Sequence, residues 1–165
     1  MRFAPAAAAL SLCLAMTASI SSASAGRAAN PRAAALIAQG QTALSAGETE
    51  AAIDAFEAAL AVDPGHTPIF IDLAQAARQQ GLQGKAIRYY RDALAREPAN
   101  FAAIAGEGSA LVEKGALEKA RRNLAKLQSL CGDSCPETVA LQSSIARGPS
   151  PRLAVESKAD AAVSN

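Results

Sequence analysis

The stretch GETEAAIDAFEAALAVDPGH, residues 47–66, returns 34 residues later as GLQGKAIRYYRDALAREPAN, residues 81–100. Gly47, Ala52, Phe56, Ala59, Leu60 and Pro64 of the first line up with Gly81, Ala86, Tyr90, Ala93, Leu94 and Pro98 of the second. Each glycine stands where one helix must end and the chain reverse, a place that favours positive φ and a residue without Cβ. Each proline stops the helix that the alanines and the aromatic residue define. Working outward, Gly40 pairs with Ala74, and residues 101–134 give a third copy with Gly108, Gly115, Ala120, Leu124 and Leu127 that loses its closing proline at Gly132. Self-similarity at this period signals a solenoid of stacked units.

Each unit holds two amphipathic segments of about 14 residues, the usual length of a globular helix. Asn30 before Pro31, Thr67 before Pro68, and Asn100 are candidate N-caps. Together these signals predict helices near 31–46, 49–62, 67–80, 83–96, 101–114 and 117–130. Gly40, Ala52 and Ala59 let paired helices approach closely, while Phe56 and Tyr90 fill the gap between one pair and the next. A solenoid needs a polar-faced end. Residues 135–147 supply it as a capping helix: Pro136 opens it, Leu141 and Ile145 share one face, and Gln142, Ser143 and Ser144 are polar. Gly148-Pro149-Ser150-Pro151 then breaks the helix, and residues 148–165 have too few large apolar side chains to pack, so they read as a disordered tail.

These residues resemble the tetratricopeptide-repeat family, with a small residue at repeat position 8, alanine at 20, an aromatic at 24, alanine at 27 and proline at 32. The units are residues 33–66, 67–100 and a divergent 101–134, preceded by a short lead at 26–32. Leu124, Leu127 and Gly132 depart from the pattern in the third unit, and Ala43, Ala77 and Leu111 replace the aromatic of position 11. The resemblance implies an all-α, right-handed α-solenoid of about three helix pairs plus a C-terminal capping helix. It also implies a non-catalytic protein- or peptide-binding scaffold whose first helices line a concave groove. Positions 2, 5, 9, 12 and 13, which face a ligand in the family, carry Ala34, Ile37, Gln41, Leu44 and Ser45 in the first unit. In the second they carry Pro68, Ile71, Gln75, Arg78 and Gln79, and in the third Ala102, Ala105, Ser109, Val112 and Glu113. Ile37, Gln41, Leu44, Ile71, Gln75, Arg78, Gln79, Ser109 and Val112 are the partner-binding candidates, although Ile37 and Ile71 serve equally well as core. Arg78 is the expected centre of the site, and Arg91 falls on the convex side as a neutral control. The Lys and Asn set by which some members hold a C-terminal carboxylate is missing.

Residues 1–25 read as a signal peptide: Arg2 is the positive start, residues 6–20 are apolar, and Ala23-Ser24-Ala25 offers a cleavage site. A retained anchor is the alternative, against which the apolar run is shorter than the ~20 residues that span a bilayer. The mature chain would begin near Gly26 in a bacterial periplasm, with no membrane span. The whole sequence has 16 basic and 15 acidic residues, and losing Arg2 makes the two equal, so the pattern of a nucleic-acid binder is absent. Residues 48–63 hold Glu48, Glu50, Asp54, Glu57 and Asp63 without a basic residue.

No phosphate loop, nucleophile elbow or metal-ligand spacing occurs, and neither an enzyme nor a cofactor is expected. His66, the only histidine, lies in a turn between repeats. Cys131 and Cys135 bracket three residues at the end of the third unit, and once Cys13 is lost with the leader the even cysteine count favours a disulfide in an oxidising compartment. A redox-active thiol pair remains an alternative, as does half a zinc site lacking further ligands. Self-association as an accessory subunit is a further alternative to the scaffold reading.

Overall fold

The computed structural model describes residues 27–149. They form seven helices: α1 (Pro31–Ser45), α2 (Thr49–Val62), α3 (Pro68–Gln79), α4 (Gln83–Arg96), α5 (Phe101–Glu113), α6 (Leu117–Cys131) and α7 (Pro136–Arg147). The expected leader at 1–25 and most of the expected tail lie outside the described residues.

The reversals inside the three pairs are one motif repeated. Gly47, Gly81 and Gly115 have φ of 82°, 76° and 80°. At the first, Gly47 N–H donates to Leu44 C=O (3.1 Å) and Glu48 N–H to Ala43 C=O (2.9 Å). Gly81 and Leu82 bond Arg78 and Ala77 in the same way, and Gly115 and Ala116 bond Val112 and Leu111. These are Schellman caps, which satisfy the last carbonyls of a helix only if its next residue is left-handed.

Two of the three predicted N-caps form. Asn30 Oδ1 accepts from Arg32 N–H (2.9 Å) and Asn100 Oδ1 from Ala103 N–H (3.0 Å). Thr67 does not cap α3: its backbone is already helical, with no side-chain cap bond. Its hydroxyl instead joins Asn100 in holding the Glu97 carboxyl below its ordinary range. Glu97 precedes the closing Pro98 as Asp63 precedes Pro64. The Asp63 carboxylate is likewise occupied, by the Asn30 N–H (3.0 Å) and by Arg27. In both units the acid before the proline ties the outgoing turn to the entry of its own first helix. In the third unit this place belongs to Cys131.

One core runs through the stack, with Ala52, Phe56, Ala59, Leu73, Ala74, Ala86 and Ala93 fully buried. Gly40 lies against the Phe56 ring so closely that a Cβ would stand 2.5 Å from Cε1. Tyr90 presses in the same way on Gly106 of the next pair, at 2.3 Å from a built Cβ. The divergent third unit closes differently. Having Leu124 in place of the aromatic, it leaves the cradle over Gly108 open to α7, whose Leu141 fills it. Ile104, Leu127 and Leu141 form a second cluster, each 1% exposed or less, and Leu127 occupies the place that Ala59 and Ala93 hold earlier. Cys131 and Cys135 join the same corner from outside, with Cα atoms 5.7 Å apart and their sulfurs facing each other, within the span of a disulfide.

Candidate functional site

Successive pairs set the first helices side by side, α3 touching both α1 and α5. Their shared face holds two adjoining depressions. Gln41, Leu44 and Ser45 of α1 line the first with Asp72, Gln75 and Gln79 of α3. Gln75, Arg78 and Gln79 line the second with Glu113 of α5. Because Gln75 and Gln79 belong to both, the surface is continuous across the three pairs.

The side chains along it differ in how far they are committed. Gln41, Ser45, Gln75 and Gln79 are exposed. Leu44 is 9% exposed and contributes only an apolar edge. Ile37 and Ile71 are half-buried against the core, and Ser109 is half-buried without lining either depression. Val112 requires correction. It is 1% exposed, because position 112 turns toward the core that Leu111 and Ala120 complete, and its side chain offers nothing to a partner.

Arg78 is not the free cation that the sequence suggests. Its guanidinium grips the Glu113 carboxylate through two nitrogens, with Nε donating to Oε2 at 3.1 Å. Burial is the largest single influence and works against the charge, but the hydrogen bonds and charges of Glu113 and Tyr90 together outweigh it and raise the Arg78 pKa. Behind the pair lies Tyr90, whose hydroxyl is pushed up by burial while the neighbouring guanidinium opposes that shift. Arg91 also differs from expectation: it is no neutral control. Its Nε donates to Glu107 Oε1 at 2.8 Å, and Glu107, 8% exposed, also accepts from Asn123 Nδ2 at 3.0 Å. Arg91 therefore joins α4 to α5 through a buried carboxylate, which Asn123 ties to α6.

Asp72 is the lining residue that sequence reasoning missed. It precedes Gln75 by one turn and shares its face with Gln75 and Gln79, so the three-and-four spacing was available as a signal. Its carboxylate receives one long hydrogen bond, from Gln41 Nε2 at 3.4 Å. No ion pair involves it among the described residues. Burial pushes its pKa up to about 6 against the opposing effect of the Gln41 bond.

Among the described residues no group of three or more His, Cys, Asp or Glu side chains could hold a metal ion. No helix there is long and apolar enough to cross a membrane. What the face offers is amides, one apolar edge, a closed ion pair and an open carboxylate.

Comparison with known proteins agrees with this geometry. A family model described as tetratricopeptide repeat matches residues 43–82, and a second of the same description matches residues 67–100. No curated protein matches. Among solved structures, the Sgt2 tetratricopeptide-repeat domain from Aspergillus fumigatus superposes with a TM-score of 0.65 at 22% identity, over 73% of this chain and 81% of that one. The first such domain of Spaghetti (RPAP3), bound to the HSP90 peptide SRMEEVD, gives 0.64 at 20% identity, over 71% and 95%. The Yersinia enterocolitica type III secretion chaperone SycD, in complex with a peptide of the translocator YopD, gives 0.62 at 20% identity, over 74% and 92%. At these identities the likeness speaks for the fold. Together with the repeated glycine caps and the nested helix pairs, the matches identify residues 43–100 as tetratricopeptide repeats, and the described residues fold as an all-helical repeat solenoid.

Proposed function

We propose that the chain is a non-catalytic scaffold that holds an extended protein or peptide segment along the α1–α3–α5 face. The observation that carries this is the continuity of the face: exposed Gln41, Gln75 and Gln79 stand in register on neighbouring helices beside the apolar edge of Leu44. Amides both donate and accept, which suits the alternating N–H and C=O groups of an extended backbone. Solenoid faces of this kind are extended and concave, and peptide-filled grooves draw orientation from a few such polar groups. The RPAP3 and SycD domains, each solved with a peptide, support a peptide as the occupant here.

The finer setting rests on the sequence. Residues 1–25 read as a cleavable leader, which places the scaffold in a bacterial cell envelope, where a Cys131–Cys135 disulfide would persist. Its role there is structural: Cys135 is 9% exposed at the start of α7, so little of it can meet another protein's disulfide.

Photo-crosslinking tests the site. A benzophenone side chain introduced at Gln75 should trap a peptide selected for binding, and one introduced at Glu57 on the exposed side of α2 should not. Trapping from position 57 alone would place the ligand elsewhere and defeat the reading.

A further inference from the structure

We infer that the peptide this face takes carries a basic side chain, Lys or Arg, whose cation pairs with the Asp72 carboxylate. The inference rests on the peptide-binding reading above and names the chemistry of its ligand.

Charge in the two depressions comes from Asp72, Arg78 and Glu113. Arg78 and Glu113 neutralise each other through two hydrogen bonds, each within reach of the other's full charge. The remaining charge is Asp72, so the face presents one net negative charge near its middle. Each helix packed around it leaves that charge open. From α1 comes Gln41, neutral and at 3.4 Å; from α4, the Tyr90 hydroxyl; from α5, Glu113, already held; and on α3 itself, Arg78, turned to Glu113. A half-buried carboxylate with one weak bond is costly to keep ionised. Burial raises its pKa to about 6, so the folded chain is less stable with Asp72 charged than with Asp72 protonated. The group opposes folding at neutral pH and forms no contact in the unliganded chain that would compensate. A ligand cation supplies the missing partner, and the exposed amides of Gln41 and Gln75 flank it as acceptors for the remaining N–H groups of a guanidinium or ammonium.

The unfolded Asp72 titrates near its ordinary value of 3.8 and the folded one near 6. The penalty is therefore complete above pH 6, shrinks as Asp72 takes up its proton, and vanishes below the unfolded value. Binding of a cation follows the same titration, strong above pH 6 and weakened below it.

Selection from a random peptide library displayed on phage, run at neutral pH on the mature chain, supplies the probe. Enriched sequences should share one Lys or Arg. A synthetic peptide of that sequence should lose about tenfold or more in affinity when its basic residue becomes Gln. The Asp72→Asn variant should lose a similar factor for the basic peptide and little for the Gln peptide, while melting higher than the wild type at neutral pH. Asp54→Asn, on the exposed side of α2, should change neither. Higher stability together with weaker binding separates a recognition residue from a structural one, whose loss would lower both. If selected peptides crosslink at position 75 but carry no shared basic residue, or bind Asp72→Asn as tightly, this inference is wrong and the peptide-binding reading stands. If the selected peptides crosslink only outside the face, both fail.

Discussion

Removing the Leu141 side chain tests how the solenoid is closed. In Leu141→Ala three carbon groups leave a site that is 0% exposed, a loss of about 2.4 kcal/mol at ~0.8 kcal/mol per buried methylene. The walls then decide how much is added. One wall is the backbone of Gly108, which has no side chain to move inward, and the others are Ile104 and Leu127, both within 1% of complete burial. Such a site collapses poorly, so the cost should fall near the middle of the 2–5 kcal/mol range of Leu→Ala changes, at about 3–4 kcal/mol. Gly108→Ala supplies the second arm. In the wild type its new Cβ would stand 2.6 Å from Leu141 Cδ2 and 2.7 Å from Cδ1, and because Leu141 is 0% exposed its methyls can move away only into other packed side chains. Overpacking of about 1–3 kcal/mol then exceeds the ~1 kcal/mol that alanine gains over glycine inside a helix. In the double variant the new methyl enters the space that Leu141 vacated. Gly108→Ala should therefore destabilise the wild type and stabilise Leu141→Ala. Urea unfolding of the four proteins, with Val139→Ala as an exposed α7 control, measures the cycle. Additive effects, or a Leu141→Ala cost no larger than that of Val139→Ala, would refute the claim that α7 completes the third unit in place of an aromatic residue.

Gly81→Ala meets no atom within 4 Å, so its cost should be the backbone penalty alone, about 1–2 kcal/mol, visible as a lower urea midpoint with an unchanged slope. Arg91→Ala should cost about 1–2 kcal/mol, because it leaves the Glu107 carboxylate with Asn123 as its remaining side-chain donor; a change within 0.5 kcal/mol would return Arg91 to the role of neutral surface charge. Cys131→Ser should lower the melting temperature in oxidising buffer by the equivalent of about 2 kcal/mol, and added reductant should erase the difference from wild type. Asp63 is held below its ordinary value of 3.8 by the Asn30 N–H and then by Arg27. Its contribution is present above that value and disappears as pH falls through the lowered one. Asp63→Asn should accordingly melt below wild type near neutral pH, with the gap closing in acid.

The helices and their caps were legible because they depend on contacts within one repeat. A left-handed residue is required at Gly47, Gly81 and Gly115 whatever surrounds them, and small residues at Gly40 and Ala52 make sense within a single helix pair. A period of 34 then carries the local rules from one unit to the next. The helix ends predicted from these signals lie within one residue of the observed ones. Local spacing could also have offered Asp72, one turn before Gln75, had the face been read by geometry rather than by family positions.

What the repeat could not specify is how each unit departs from its neighbours. Thr67, Asn30 and Asn100 all read as caps, yet Thr67 is drawn to Glu97, a partner 30 residues away, while the other two bond the adjacent backbone. Val112 and Gln79 occupy comparable places on family grounds, but a difference of one position on a helix is a rotation of about 100°, enough to send one to the core and leave the other on the surface. Arg78 and Arg91 are alike as residues. Which carboxylate each meets was decided by the approach of α5, which brings Glu113 to one and Glu107 to the other. The amino-acid sequence by itself determined where helices start, stop and pair, since those are short-range requirements of backbone and volume. Tertiary structure alone decided which charges are spent on one another and which remains open, because pairing depends on side chains from different repeats meeting across a distance that no period encodes.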